Sequence, residues 1–256
     1  MKTKVTILSA LLLGSFSATA GTSIPSLEEP LTPTASSSPW SFRVGLYGWL
    51  QAVEGDVSAR GISTPVDVGI DDVLRNLDTA VMGVVEVGYG RWSFLADSAY
   101  VELSVNEPTP FGLIAPSFDV NYREFVGNYV IAYEVMKTDC QKLDVYAGAR
   151  VTWLELEFDL GPFNRSADHG WVDPIIGVRY QAELGHSFFV RSLGDIGGFG
   201  VSSDLTWQAM AGFGYRFNDQ CSALLTYRAI STDYSSGDFE FDVIAHGPLL
   251  GLEFKF

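Results

Sequence analysis

The chain's last ten residues read "GPLLGLEFKF", 247–256. Leu250, Leu252, Phe254 and Phe256 share one parity; Gly251, Glu253 and Lys255 take the other. A period of two is that of a β-strand, whose successive side chains point to opposite faces. One face here is wholly apolar and ends on an aromatic ring, while the other carries charge.

The same alternation recurs through the chain in segments of about ten residues separated by turn signals, the length a tilted strand needs to cross a bilayer. Segment 40–50 sets Trp40, Phe42, Val44 and Leu46 against Ser41, Arg43, Gly45 and Tyr47. Segment 143–153 sets Val145, Ala147, Ala149, Val151 and Trp153 against Asp144, Tyr146, Gly148 and Arg150. Segments 80–89, 92–103, 118–135, 171–182, 188–193, 205–217, 222–230 and 239–256 complete the set. We expect an all-β fold: an antiparallel transmembrane β-barrel of about ten strands, an even number, closed by the C-terminal strand. A secreted β-sandwich is the soluble alternative, but its outward face would be polar.

Composition agrees. The chain is 13% aromatic with 26 glycines and only 18% charged, as expected of strands and turns rather than helices. A net charge of −15 offers no basic face, which argues against nucleic acid. The connections after the second, fourth, sixth and eighth strands are short and the others longer, the asymmetry of periplasmic turns and outer loops. Tyr89, Tyr133, Tyr180 and Tyr215, with Trp40, Trp92 and Phe256, fall at strand ends on the short-turn side, a lower aromatic girdle. Trp153, Trp171 and Trp207 mark an upper one. Such rings sit where hydrocarbon meets water.

Before the barrel, "MKTK", an apolar run and "ATA" at 18–20 read as a secretory signal over 1–20, too short to span a membrane. Residues 21–39, rich in Pro, Ser and Thr, read as a disordered periplasmic lead-in, leaving 40–256 as the barrel. The expected location is the outer membrane of a Gram-negative bacterium, with the signal cleaved after Ala20. Within 54–69, two short alternating pieces would make twelve strands if both crossed. At about six residues each they are short for that, so we expect a hairpin projecting outside. "DDVLRNLD", 71–78, reads as a brief helix with Asp71 as N-cap. Arg123 and Glu155 have lipid-side parity and are placed above the hydrocarbon.

"WVDPIIGVRY" (171–180), "GDIGGFGVSSDLTWQ" (194–208), "GYRF" (214–217) and "GPLLGLEFKF" (247–256) resemble a large group of proteobacterial outer-membrane β-barrel proteins of unassigned activity, small porin-like barrels. The resemblance covers nearly the whole mature chain and implies a small barrel without implying a substrate. The aromatic C-terminus likewise resembles the closing strand that the barrel-assembly machinery reads. Expected partners are therefore that machinery, outer-membrane lipid and lipopolysaccharide.

Function turns on the inner face. Glu86, Asp97 and Glu124 come from early strands, and Arg150, Arg179 and Arg228 from later ones. Opposed charges in a narrow barrel either face each other across water and select solutes, or pair and close it. The first reading, a narrow porin-like channel with these six as selectivity residues, leads here; a closed barrel acting through its outer loops is the alternative. A rim-sited hydrolase is third, and no enzyme is expected. Of three histidines only His169, read as lying in an outer loop beside Asp168, is placed for rim chemistry, and no GxSxG stands in the chain. "GDIGGFG" lacks the Lys-Ser/Thr and helix of a phosphate cradle. Asp67, Asp71, Asp72, Asp168, Asp195, Asp233 and Asp238 read as solubilising acids of outer loops, without metal-ligand spacing. No cofactor is expected. Cys140 and Cys221 fall in two distant periplasmic turns, too far apart for a ready disulfide.

Overall fold

The computed structural model describes residues 38–59, 62–108, 117–160 and 163–256. The expected signal, and the lead-in up to residue 37, lie outside the described residues. The elements are β1 (Trp40–Trp49), β2 (Ala52–Ala59), β3 (Ile62–Val68), α1 (Ile70–Asn76), β4 (Leu77–Tyr89), β5 (Trp92–Pro108), β6 (Ser117–Lys137), β7 (Gln141–Leu160), β8 (Phe163–Glu183), β9 (Phe188–Gly198), β10 (Ser203–Arg216), β11 (Cys221–Ser236) and β12 (Phe239–Lys255).

β1 and β4 to β12 pair antiparallel in order, and β12 returns to β1, so ten strands close a barrel. Closure runs from Arg43↔Lys255 to Trp49↔Leu249. Below it, Phe42 and Phe256 exchange backbone hydrogen bonds at 3.2 and 2.9 Å. The terminal aromatic is thus a paired member of the wall.

β2 and β3 form the outside hairpin, and they do more than project. β12 is longer than β1, and its upper half, from His246 to Phe239, pairs with β2. β1 and β2 therefore act as one long strand kinked at Leu50–Gln51. The Leu50 N–H still reaches the Pro248 carbonyl at 2.9 Å. Gly247 sits behind that kink, where any Cβ would strike the Leu50 carbonyl.

The exterior is apolar. Leu46, Val81, Leu250, Phe213 and Phe256 are 69, 64, 64, 61 and 71% exposed, a pattern that suits hydrocarbon as solvent and would aggregate in water. At the short-turn end Trp40 meets Tyr89 edge-on at 4.9 Å, and Trp92 meets Tyr133 at 4.7 Å. Phe188 and Tyr215 pair at 5.0 Å. Tyr180 shares the outward parity of Val178.

Three expectations need correction. Trp171 belongs to no girdle: it shares the inward face of Asp173, is 5% exposed, and stacks on Tyr234 at 4.1 Å. The helix begins at Ile70 with Gly69 as N-cap and no side-chain cap bond. Asp71 and Asp72 turn instead to Arg75, one turn on, at 2.6 and 2.8 Å. His169 lies in β8, paired with Leu154, because β6, β7 and β8 run 20 or 21 residues, well past the apolar belt. Above that belt both faces meet water or protein, so strict alternation is no longer required there.

β9 and β10 are short, and the wall steps down beside β8. Their turn uses positive φ at Gly198, Phe199 and Gly200. It is clipped to β8 by Asp173, which is 0% exposed and accepts the Ser203 N–H at 2.8 Å and its hydroxyl at 2.6 Å. Asp173→Ala leaves that buried N–H without a partner and is expected to destabilise the folded barrel by about 2 kcal/mol. Urea titration in lipid vesicles measures it; an unchanged midpoint would contradict the clip.

Candidate functional site: the barrel interior

The inward parity of every strand delivers side chains into one column, and they sort into layers. At the short-turn end lies an open vestibule of about 580 Å³, lined among others by Arg43, Glu86, Arg179, Arg191, Arg216 and Glu253. Cys140 and Cys221 also line it, and neither forms a disulfide.

The vestibule ends on a lower charged layer. Glu86 receives Arg43, receives Arg179 at 2.7 and 3.1 Å, and accepts the Ser93 hydroxyl at 2.7 Å. Arg179 also holds Asp144 at 2.7 Å. Glu253 receives Arg43, and Arg191 at 2.6 Å. Three arginines and three carboxylates, each from a different strand, form one connected network across the barrel, the lower ring.

Above it a small cavity of about 90 Å³ is lined by Val84, Leu95, Leu193, Met210, Leu224 and Leu249, together with charged side chains of the layers below and above. A second charged layer follows. Arg228 binds Asp97 at 2.9 Å and Gln208 at 2.7 Å, while Tyr47 donates to Asp97. The guanidinium also lies over the Trp49 ring at 5.0 Å, a cation–π contact. Arg150 is 0% exposed; it donates to Asn128 at 2.8 Å, Thr206 at 2.8 Å and Asp195 at 2.7 Å. Asn128 in turn donates to Asp97 at 3.3 Å, so the two halves of this layer are joined.

Two apolar layers stand higher. One groups Trp49, Met82, Ala99, Val101, Ile230 and Leu249. The other groups Leu154, Trp171, Phe239, Phe241 and Val243 at the upper mouth, where His169 stacks on Phe239 at 3.8 Å.

All six residues read as lumen-facing therefore face the interior. Four of them pair directly rather than across water, Glu86 with Arg179 and Asp97 with Arg228, while Arg150 pairs with Asp195. Glu124 stands apart, with Gln51 at 3.4 Å. Arg43, Asp144, Arg191 and Glu253 complete the lower ring; their parity was legible, but parity does not say which charges converge. Asp195 corrects the outer-loop reading: its side chain is 1% exposed against Arg150, because the glycine-rich run pairs as β9. Outside the barrel Arg123 bridges Glu102 at 3.0 Å and Glu155 at 3.1 Å, consistent with its lipid-side parity above the belt. Among the described residues no group of His, Cys, Asp and Glu could hold a metal ion.

No family model matches this chain, nor does any curated protein. Solved structures do. The outer membrane protease OmpT of Escherichia coli is similar with a TM-score of 0.54 at 8% identity, over 86% of this chain and 98% of that one. Neisserial surface protein A gives 0.36 at 12% identity, over 86% and 98%. Ail of Yersinia pestis gives 0.37 at 12% identity, over 85% and 98%. At such identities the first likeness shows the fold alone, that of an outer-membrane β-barrel.

Breaking a buried ion pair from one side strands the partner, whereas replacing both sides with apolar groups restores much of the stability. Arg150→Met is expected to destabilise the barrel by about 3 kcal/mol, and Arg150→Met with Asp195→Leu by distinctly less. A double-mutant cycle by urea unfolding in vesicles measures the coupling; additive effects would mean the pair is not one unit.

Proposed function

We propose that this protein is an outer-membrane barrel whose lumen is closed by its own side chains and which acts at its surface. The observation that carries the reading is the fully buried Arg150, tied to three strands at once in mid-barrel. A conducting path needs a continuous file of water, and water around that guanidinium would expose it. The lower ring and the aromatic upper layer close the column twice more. Closed barrels present their outer strands, and here β5 to β8 rise furthest, with Arg123, Glu102 and Glu155 on their outer face where lipid headgroups lie. Lipid and lipopolysaccharide are the proposed surroundings, and the assembly machinery the proposed reader of the Phe256 end. We read the protein as non-enzymatic, with His169 stacked on the Phe239 ring at the upper mouth.

The narrow solute channel is the second reading, favoured by the open vestibule that funnels onto Arg43, Glu86 and Arg179. Single-channel recording in planar bilayers separates the two. The unmodified protein is expected to insert without discrete current, and Arg150→Ala combined with Arg179→Ala to show a leak. Stepwise, salt-dependent current from the unmodified protein would overturn the closed reading.

A further inference from the structure

Among the described residues, the β1–β4 seam of the barrel wall is incomplete within the apolar belt. The β1–β4 ladder runs from Trp40↔Tyr89 to Leu46↔Gly83 and stops. Above that point β1 continues against β12, and β4 continues against β5 from Met82↔Ala99 to Leu77↔Leu103. β3 pairs only with β2. Two strand edges thus face one another without a ladder. The nearest outward side chains on either side, Leu46 and Val81, are 69 and 64% exposed, so the break opens within the apolar belt. Unpaired backbone edges in hydrocarbon are strongly unfavourable unless covered.

Two devices cover this one. The Trp49 N–H, which a continuing ladder would direct to a β4 carbonyl, donates to the Met82 Sδ at 3.3 Å. Above it α1 joins β3 to β4 and packs against β5, burying Val73 and leaving Leu74 half exposed. Methionine is an unbranched, adaptable side chain and its sulfur a weak acceptor, so this point of the wall is held more weakly than a ladder would hold it. The rim is aliphatic, with Leu46, Leu50, Leu74, Leu77 and Val81 each more than a third exposed. At Gly48 a Cβ would meet nothing within 4 Å. Directly behind lies the apolar layer of Trp49, Met82, Ala99, Val101, Ile230 and Leu249. Within it the Trp49 Nε1 is buried and has no hydrogen-bond partner.

We propose that this break is a lateral portal, closed by Met82, through which an acyl chain of an outer-leaflet lipid reaches the layer around Trp49. An acyl ester fits both halves of the site. Its hydrocarbon matches the aliphatic rim and the apolar layer, and its ester carbonyl supplies the acceptor that the Trp49 indole lacks. The lipid need not cross water, since the rim already faces it. The proposal goes beyond the closed axial lumen, because the charged layers below the portal stay intact while it is occupied.

The test uses the full chain with Cys140→Ser and Cys221→Ser, in phosphatidylcholine vesicles. Met82→Cys is expected to react with a membrane-dissolved apolar maleimide at least roughly tenfold faster than Ile230→Cys on the same layer, because buried thiols are inert and reachable ones are not. A charged thiosulfonate in the water should modify neither. Equal apolar rates at the two positions, or faster modification of Met82→Cys from water, would overturn the portal. A second measurement needs no cysteine. In vesicles of dibrominated phosphatidylcholine, the emission that parent has and Trp49→Phe lacks should be quenched, and more strongly so in Met82→Ala. Its absence in both, or its appearance only with free bromododecane in unbrominated vesicles, would overturn the assignment of a lipid acyl chain. Loss of the closed reading through a conductance measurement would leave these outcomes unchanged.

Discussion

A peptide N–H or C=O in hydrocarbon has no water to bond, and each unsatisfied group there costs several kcal/mol. Everything in this protein follows from that. It requires β12 to return to β1, and makes the C-terminal Phe256 exchange hydrogen bonds with Phe42 rather than fray. It requires β12 to find another partner once β1 kinks, which is the role of β2. Where the requirement is not met by a ladder, between β1 and β4, a methionine sulfur and a short helix stand in its place. The wall is therefore not uniform: the β1–β4 seam is a ladder only in its lower part, and β8 pairs with β9 only from Ile175 to Glu183.

Closing the wall creates an interior whose contents must also be compatible. Charged side chains there are largely withdrawn from water, so each guanidinium meets carboxylates or amides. The lower ring does this by sharing: Glu86 serves Arg43 and Arg179, and Glu253 serves Arg43 and Arg191. Sharing links three arginines and three carboxylates into one network and couples strands far apart in the chain. Arg179 and Glu86 are separated by 93 positions. Charged and apolar layers alternate up the column, and the vestibule stops at the first charged one.

Much of this was legible. Period-two alternation placed ten strands, the outside hairpin and the inward face of Glu86, Asp97, Arg150, Arg179 and Arg228, because burial in lipid on one face leaves a strict imprint. The imprint fades where that cause ends. Above the belt β6 to β8 continue without it, so His169 read as loop. The glycine-rich 194–200 read as loop for a related reason: Gly197 is needed for close approach to Pro174, and a residue with no side chain carries no parity. Asp195 was lost with it. Trp171 was assigned by its height along the strand when its odd parity already pointed inward.

The sequence by itself determined that this chain closes a barrel with an apolar exterior and charges inside, because those features depend on local period and composition. Only the tertiary structure decided whether the charges face across water or touch, and where the wall is incomplete. Both are questions of which side chains from distant strands converge at one height. That is set by strand register and by the kink at Leu50–Gln51, and no local pattern encodes the distance between Arg150 and Asp195 or the end of the ladder at Leu46 and Gly83.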